Sequence, residues 1–361
     1  MINIRNHYPF EPDYAVAPGE TLAETIDALN MTQKELALRT GLTEQSINRI
    51  IKGRQPISSE TANKLELVTG VPARMWNNLE SQYREQLAKI EEEKRLEADI
   101  DWLKEIPYKI LIKQNVIPHE KNKKLLLRHV LAFYGVGSVQ QYHAYWENKT
   151  KAVAARRSQL FESHPGPTSA WIRLGELQAQ QIETEEYCKD QFKNILINIR
   201  SLTTSQPEIF IPEMCKLCAD AGVALSLVPG FPKAPWYGAS MWLNPEKAMI
   251  LLSLRGKYDD QFWFSFFHEA SHILNDSKKE MFINEGDEED PTELRANEFA
   301  STMLIPKEYH NRVKMLRSKE QVRALAREIG VCPGIVVGLY QRLTGKYSWF
   351  NDLKQKLIWS E

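Results

Sequence analysis

Apolar residues recur at helical spacing along most of the chain and give way to short β-branched runs only between residues 223 and 254. Pro18-Gly19-Glu20-Thr21 opens an amphipathic helix that runs to about Leu29. In MTQKELALRTGLTEQSINRIIKGRQPIS, Thr32 with Glu35 three residues on forms a capping box for a short helix ending near Thr40. Gly41 supplies the turn, Thr43 caps a second helix from Glu44 to about Lys52, and Gly53 ends it. Leu36, Ala37, Leu42, Ile47 and Ile50 fall on the inward side, so the pattern is a helix-turn-helix. From Tyr83 the chain turns highly charged (REQLAKIEEEKRLEADIDWLKEIP), a solvated helix continuing outward. Leu125–Tyr134, Val139–Trp146 and Trp171–Glu185 have helical period, with HPGPTSAW expected to break the chain before the last of them. A helix through Phe192–Arg200 and another over Ile211–Ala221 lead to a strand at Val223–Val228, then to strands at Gly238–Leu243 and Ala248–Leu254. The predicted fold is mainly α with a small β-sheet, an α+β chain in three segments. They are a five-helix helix-turn-helix domain over 1–95, a helical connector over 96–180, and an α+β domain over 181–361.

Composition changes this picture little. The 361 residues are enough for two or three domains, and a net charge of −1 provides no global field toward nucleic acid or membrane, so a DNA-binding surface must be local. Between Met31 and Glu60 five basic residues (Lys34, Arg39, Arg49, Lys52, Arg54) face three acidic ones, the sign DNA requires. There is no apolar run of transmembrane length and no apolar core near the amino terminus resembling a signal peptide, so no membrane association is expected. Four cysteines are too few for a disulfide framework, and a cytoplasmic location is the expectation. Cys215 and Cys218 form a CxxC without the second pair a zinc ribbon needs, and read as packed thiols.

The helical period from Trp263 to Leu274 carries the chemistry. This stretch, WFSFFHEASHIL, contains His268-Glu269-Ala270-Ser271-His272, an HExxH. On a helix, i and i+4 share a face, so His268 and His272 can ligate one metal ion, and Glu269 beside them is a carboxylate placed to act as general base. A metzincin would continue with Gly and His where Asn275 and Lys278 stand, which excludes that class. A third ligand from a later helix is supplied by Glu293 in TELRANEFASTMLIP, where Glu293 and Asn297 share one helical face. The neighbouring acids Asp287, Glu288, Glu289 and Asp290 read as a solvated loop. Two imidazoles and a carboxylate favour Zn2+, with Mn2+ the alternative. Asn297 is expected to hydrogen-bond to the site, and His310, Tyr309 and Tyr237 are candidate transition-state donors. The nearly all-apolar Pro333–Tyr340 segment, PGIVVGLY, is expected to be buried as structural support.

Two resemblances follow from these motifs. PGETL, MTQKELA, IIKGRQPIS and ETANKLELVTGVPARMWNNLESQY make Pro18 to about Gln86 similar to the HigA/VapI branch of Xre-type helix-turn-helix proteins, antitoxins and autorepressors. That resemblance implies a homodimer reading a palindromic operator in double-stranded DNA, and an antitoxin's toxin partner. The candidate DNA contacts are Gln33, Thr43, Gln45, Ser46, Asn48, Arg49 and Lys52. HEASHIL followed by Glu293, Ala296, Asn297, Phe299, Ala300 and Pro306 resembles the ImmA/IrrE metallopeptidases, with Met303-Leu304-Ile305 where that family usually has a leucine pair with Met. This resemblance implies a zincin-like domain with His268, His272 and Glu293 as metal ligands, Glu269 as general base, and a repressor- or antitoxin-type protein as substrate. A second reading keeps DNA binding and treats the peptidase fold as a non-catalytic sensor or toxin-binding module.

Overall fold

The structure, a computed structural model, describes residues 14–148, 164–234, 236–284 and 290–359. The acids Asp287, Glu288 and Glu289 lie outside the described residues. The chain divides into two compact units, one ending at Asp101 and including Asn122–Leu127, the other formed by Trp102–Lys121 and the chain from Arg128 onward.

In the first unit the local signals set the helices: α1 (Pro18–Ala28), α2 (Gln33–Thr40), α3 (Glu44–Ile51), α4 (Ser59–Thr69) and α5 (Ala73–Asp99). Thr32 Oγ1 accepts from Glu35 N and Thr43 Oγ1 from Ser46 N, each at 3.1 Å, and Ser58 Oγ accepts from Thr61 N at 3.2 Å. Each such cap satisfies an orphan amide and contributes about 1 kcal/mol. Gly41 ends α2 with φ 69°, a left-handed conformation costly to any residue with a Cβ. Gly19 is required for another reason: a Cβ there would lie 2.2 Å from the Ile50 carbonyl oxygen, so only glycine lets α1 cross this close to α3. Leu22, Leu36, Ile47 and Trp76 form the core. Beyond Trp76, α5 carries i,i+4 pairs such as Arg84–Glu80 and Lys89–Glu85, as expected of a helix running into solvent.

The second unit opens with short helices, α6 (Tyr108–Lys113), α7 (Lys123–Tyr134, its first residues counted with the first unit) and α8 (Val139–Tyr142). Then come α9 (Pro165–Gln181), α10 (Lys189–Ser201) and α11 (Pro207–Asp220). The sequence HPGPTSAW does not break the chain as expected. It is the first part of α9, because Pro165 and Pro167 occupy the first turn, where no amide hydrogen is needed by the helix. The sheet follows: β1 (Val223–Leu227), β2 (Gly238–Asn244) and β3 (Lys247–Leu252), joined later by β4 (Phe282–Asn284), in the order β1-β3-β2-β4. β1 runs parallel to β3, while β2 is antiparallel to both β3 and β4. Ser226 and Leu251 meet α9, where the Gly175 carbonyl accepts from Ser226 Oγ at 3.0 Å; Leu225 and Ile250 turn into the main core. Both faces are therefore covered, and VALSL and KAMILL read as continuous rather than alternating apolar runs.

Against the sheet packs α12 (Asp259–Asn275), followed by α13 (Pro291–Leu304), α14 (His310–Lys314), α15 (Lys319–Ile329) and α16 (Pro333–Thr344). Phe262, Trp263, Phe266, Phe267 and Ile273 bury α12 in the core. The PGIVVGLY segment is the buried start of α16, and its two glycines have a specific use. A Cβ at Gly334 would lie 2.2 Å from Asp259 Oδ1, and one at Gly338 would lie 2.7 Å from Asp260 Oδ2. One turn apart, they leave room for the two acids that begin α12. Cys215 and Cys218 are free thiols on α11, Cys218 within the core. Among the described residues, no helix is long and apolar enough to cross a membrane.

Candidate functional site

Gln45 and Arg49 on α3, and Lys52 at its C-cap, are exposed at spacings of four and three, which aligns them along one side of the helix. The other candidate DNA contacts are tied to one another. Thr43 Oγ1 donates to Ser46 Oγ at 3.0 Å, and Asn48 Nδ2 donates to Gln33 Oε1 at 3.4 Å, linking α3 to α2. Gln33, Ser46 and Asn48 are half-buried, so they brace the exposed stripe as well as bordering it.

The second constellation lies where α12 and α13 cross. His268 is 1 % exposed, His272 2 %, Glu269 0 % and Glu293 9 %, far below what these polar residues show unless they have partners. His268 Nε2 and His272 Nε2 are 3.1 Å apart. Glu293 Oε2 lies 3.0 Å from the first, and Glu293 Oε1 lies 3.6 Å from the second. On the far side of each ring, His268 Nδ1 meets Asn297 Oδ1 at 3.0 Å and His272 Nδ1 meets Asp276 Oδ2 at 2.8 Å. Both partners are acceptors, so each ring donates from Nδ1 and turns Nε2 toward Glu293. With both rings neutral, the two Nε2 lone pairs and a carboxylate converge on one point with no proton between them. That arrangement suits a cation, and the donor set of two imidazoles and one carboxylate suits zinc.

Glu269 faces the sheet. Its Oε2 accepts from Ser240 Oγ on β2 at 2.7 Å, while its Oε1 is buried without a hydrogen-bond partner. Burial raises the Glu269 carboxyl above the ordinary range, opposed by the nearby His268 and His272 and by the Ser240 bond. For His268, burial lowers the ring's pKa, but the Glu293 bond and the charges of Glu269 and Glu293 outweigh it, and the net direction is upward. Phe282 of β4 stacks on the His272 ring, with centroids 4.3 Å apart and 6° between planes, and fixes its tilt.

A helix-turn-helix family model matches residues 22–76, and a model described as an IrrE N-terminal-like domain matches residues 231–337. The uncharacterized HTH-type transcriptional regulator YddM of Escherichia coli (strain K12) is 31% identical over 64 residues, covering 18% of this chain and 68% of that protein. The chain belongs to the helix-turn-helix family. It joins that Xre-type segment to an IrrE-like domain. Among solved structures, PA4674 of Pseudomonas aeruginosa in complex with its operator DNA is similar at 26% identity, covering 21% of this chain and 82% of that one, with a TM-score of 0.20. An addiction module antidote protein of a HigA family from Coxiella burnetii is similar at 28% identity, covering 24% and 94%, with a TM-score of 0.22. Both likenesses concern less than a quarter of this chain.

Within the IrrE-like domain, three residues of the site escape sequence reasoning. Asp276 lies four residues beyond His272, the same spacing that joins the two histidines, and Arg295 of α13 donates to its other oxygen. The i,i+4 spacing was the available signal. Ser240 and Gly238 on β2 carried none. A Cβ at Gly238 would lie 2.7 Å from Glu269 Oε1, so glycine there makes room for that carboxylate. The IrrE-like domain uses His310 elsewhere, since its Nε2 meets the Ile305 carbonyl at 3.0 Å. Tyr309 packs against the core with Arg312 over its ring, whereas Tyr237 directly precedes Gly238 and lines a cavity beside α12. Asp290, read as part of an acidic loop, is the N-cap of α13, its side chain accepting from Thr292 N at 2.6 Å.

Proposed function

We propose that this chain is a DNA-binding transcriptional regulator carrying a zinc-dependent endopeptidase that cuts a repressor- or antitoxin-type protein. The observation that carries the peptidase reading is the convergence of His268 Nε2, His272 Nε2 and Glu293 beside a buried Glu269 oxygen that has no partner. In this reading His268, His272 and Glu293 hold the ion, with manganese as the alternative, and Asn297 and Asp276 fix the two rings. The ion, when bound, supplies Lewis-acid polarisation of the scissile carbonyl. Glu269 Oε1 takes the proton of the attacking water and returns it to the leaving amine, while Ser240 holds the other oxygen still. Burial of the whole group in the core keeps bulk water from competing for these positions.

DNA binding is supported by the family and by the exposed stripe Gln45, Arg49 and Lys52 on the second helix of the motif, with Gln33, Thr43, Ser46 and Asn48 at its border. A helix-turn-helix unit reads a palindromic operator as a homodimer, one recognition helix in each major groove. A peptidase joined to such a unit acts on gene control, which is why a repressor- or antitoxin-type protein is the proposed substrate. Zinc-loaded protein incubated with the products of neighbouring genes should cleave one of them. Glu269→Gln should abolish that cleavage and retain the metal. Cleavage by the Gln variant at the parental rate would refute the assignment.

A further inference from the structure

A cavity of about 650 Å3 opens just before α12, between residues 229–234 after β1, residues 254–257 after β3, and residues 356–359. That volume falls in the range of roughly 300–1,000 Å3 found for ligand pockets. Phe231, Ala234 and Leu357 line it with buried apolar surface, and the exposed Trp359 adds an aromatic edge. Its charge is of one sign. Lys233, Arg255, Lys257 and Lys356 line it without a carboxylate, and none of the four has an ion pair among the described residues. In a chain of net charge −1, four cations around one recess make a strong local field that an anion would relieve. Lys233 and Lys257 hold φ of 66° and 59°, where glycine is the unstrained choice, so the local backbone calls for lysine at neither position. The recess also lies near the metal centre. The Arg255 guanidinium is 5.0 Å from the centroid of Tyr237, and Tyr237 precedes Gly238, which sits against the Glu269 carboxylate. Chain geometry therefore keeps Arg255 within about 17 Å of Glu269, roughly five residues of extended peptide.

We infer that this recess docks a segment of the peptidase's protein substrate in which acidic and apolar residues are mixed, a few residues from the bond that is cut. The inference rests on the peptidase reading above. Glutamate or aspartate side chains would meet the four cations, and apolar side chains between them would cover Phe231, Ala234 and Leu357. Apolar residues outnumber cations in the lining by eight to four, which favours such a peptide over a phosphate backbone that would leave the apolar surface uncovered.

The test is fluorescence anisotropy at low ionic strength, with zinc-loaded full-length protein and a fluorescein-labelled octapeptide, Ala-Glu-Leu-Glu-Glu-Leu-Glu-Ala. This peptide should bind at least about tenfold more tightly than its counterpart with Gln for every Glu, and added salt should shrink the difference. Lys233→Gly and Lys257→Gly remove a charge in favour of the residue the backbone prefers, so both should melt no lower than the parent. Each should weaken the Glu peptide by about threefold. Lys193→Ala and Lys216→Ala, at exposed lysines of α10 and α11, should change nothing. On the neighbouring gene product that the parent cleaves, both glycine variants should raise KM severalfold with kcat unchanged. Equal affinity for the two peptides, or a Glu peptide affinity untouched by both glycine substitutions, overturns the docking site and leaves the peptidase reading standing. So does an unchanged KM in both variants. Binding of adenosine diphosphate that both glycine variants lose, with the two peptides equal, would assign the recess to a nucleotide instead. The expected peptide binding in a protein that holds no zinc would overturn the peptidase reading and, with it, the substrate role of the recess.

Discussion

Asp276→Ala removes the acceptor that holds His272, and the geometry sets the size of the effect. The bond from His272 Nδ1 to Asp276 Oδ2 is 2.8 Å long, and the two side chains are 1% and 9% exposed, so water cannot readily replace the lost partner. An imidazole N–H donating to a carboxylate is the stronger, charge-assisted kind of bond. Without it the ring is held by Phe282 alone on that side, and Nε2 loses both direction and basicity. Loss of such an outer carboxylate typically costs ten- to a hundredfold in metal affinity, or about 1.4–2.8 kcal/mol. Asp276→Asn keeps an acceptor of the same shape and should lose only about threefold, because direction is retained and only charge is removed. Arg295→Ala removes an ion pair whose arginine is half exposed, and should change affinity by less than that. The assay is competition for zinc against a chromophoric chelator at fixed pH, with thermal melts of the metal-free proteins to show that each variant folds. An Asp276→Ala protein that folds and binds zinc within threefold of the parent would refute the reasoning. So would an Asn variant that loses as much as the Ala variant, since orientation would then not be what the carboxylate supplies.

Gly238→Ala places a Cβ 2.7 Å from Glu269 Oε1 and 2.9 Å from its Cγ, so the carboxylate must move; cleavage should fall by at least tenfold while zinc titrations stay unchanged. For Asp259, burial and then the charge of Asp260 push the carboxyl from 3.8 up to about 6, against the opposing bond from the Cys332 thiol. A carboxyl raised on folding contributes stability that is full below the unfolded value and lost as pH rises through the folded one. Relative to Asp259→Asn, the parent should therefore lose up to about 3 kcal/mol between pH 4 and 7, read as a widening gap in urea midpoints; a gap constant across that window would disprove the shift. On the DNA side, Lys52→Ala should lower the slope of log affinity against log salt by about one, whereas Gln45→Ala should relax sequence preference with little change in slope; identical slopes for Lys52→Ala and parent would remove Lys52 from the phosphate contacts.

What could be read directly from the chain was whatever is decided within one helix. Thr32, Gly41 and Thr43 determine the helix-turn-helix through bonds spanning only a few residues, and the i,i+4 spacing of His268 and His272 places both on one face whatever surrounds them. The same spacing reaches Asp276, which went unnoticed because it stands past the apolar stripe as the C-cap of α12, among other polar residues. Strand β4 has three residues, too few to show alternation, and it exists because β2 offers Gly238–Ser240 as a partner. The residues that place Glu269 are harder still to find. Ser240 bonds to it across 29 positions of sequence, and Gly238 serves it only by lacking a side chain. Gly334 and Gly338 follow the same logic on α16, where an apolar run conceals two gaps shaped for Asp259 and Asp260. A glycine that makes room for a distant carboxylate has no local signature, because the shape it serves is formed only when the helix and its neighbour have packed. Groups that donate electrons or protons could therefore be recognised by type and spacing, whereas the surfaces that aim them emerged only from the packed fold.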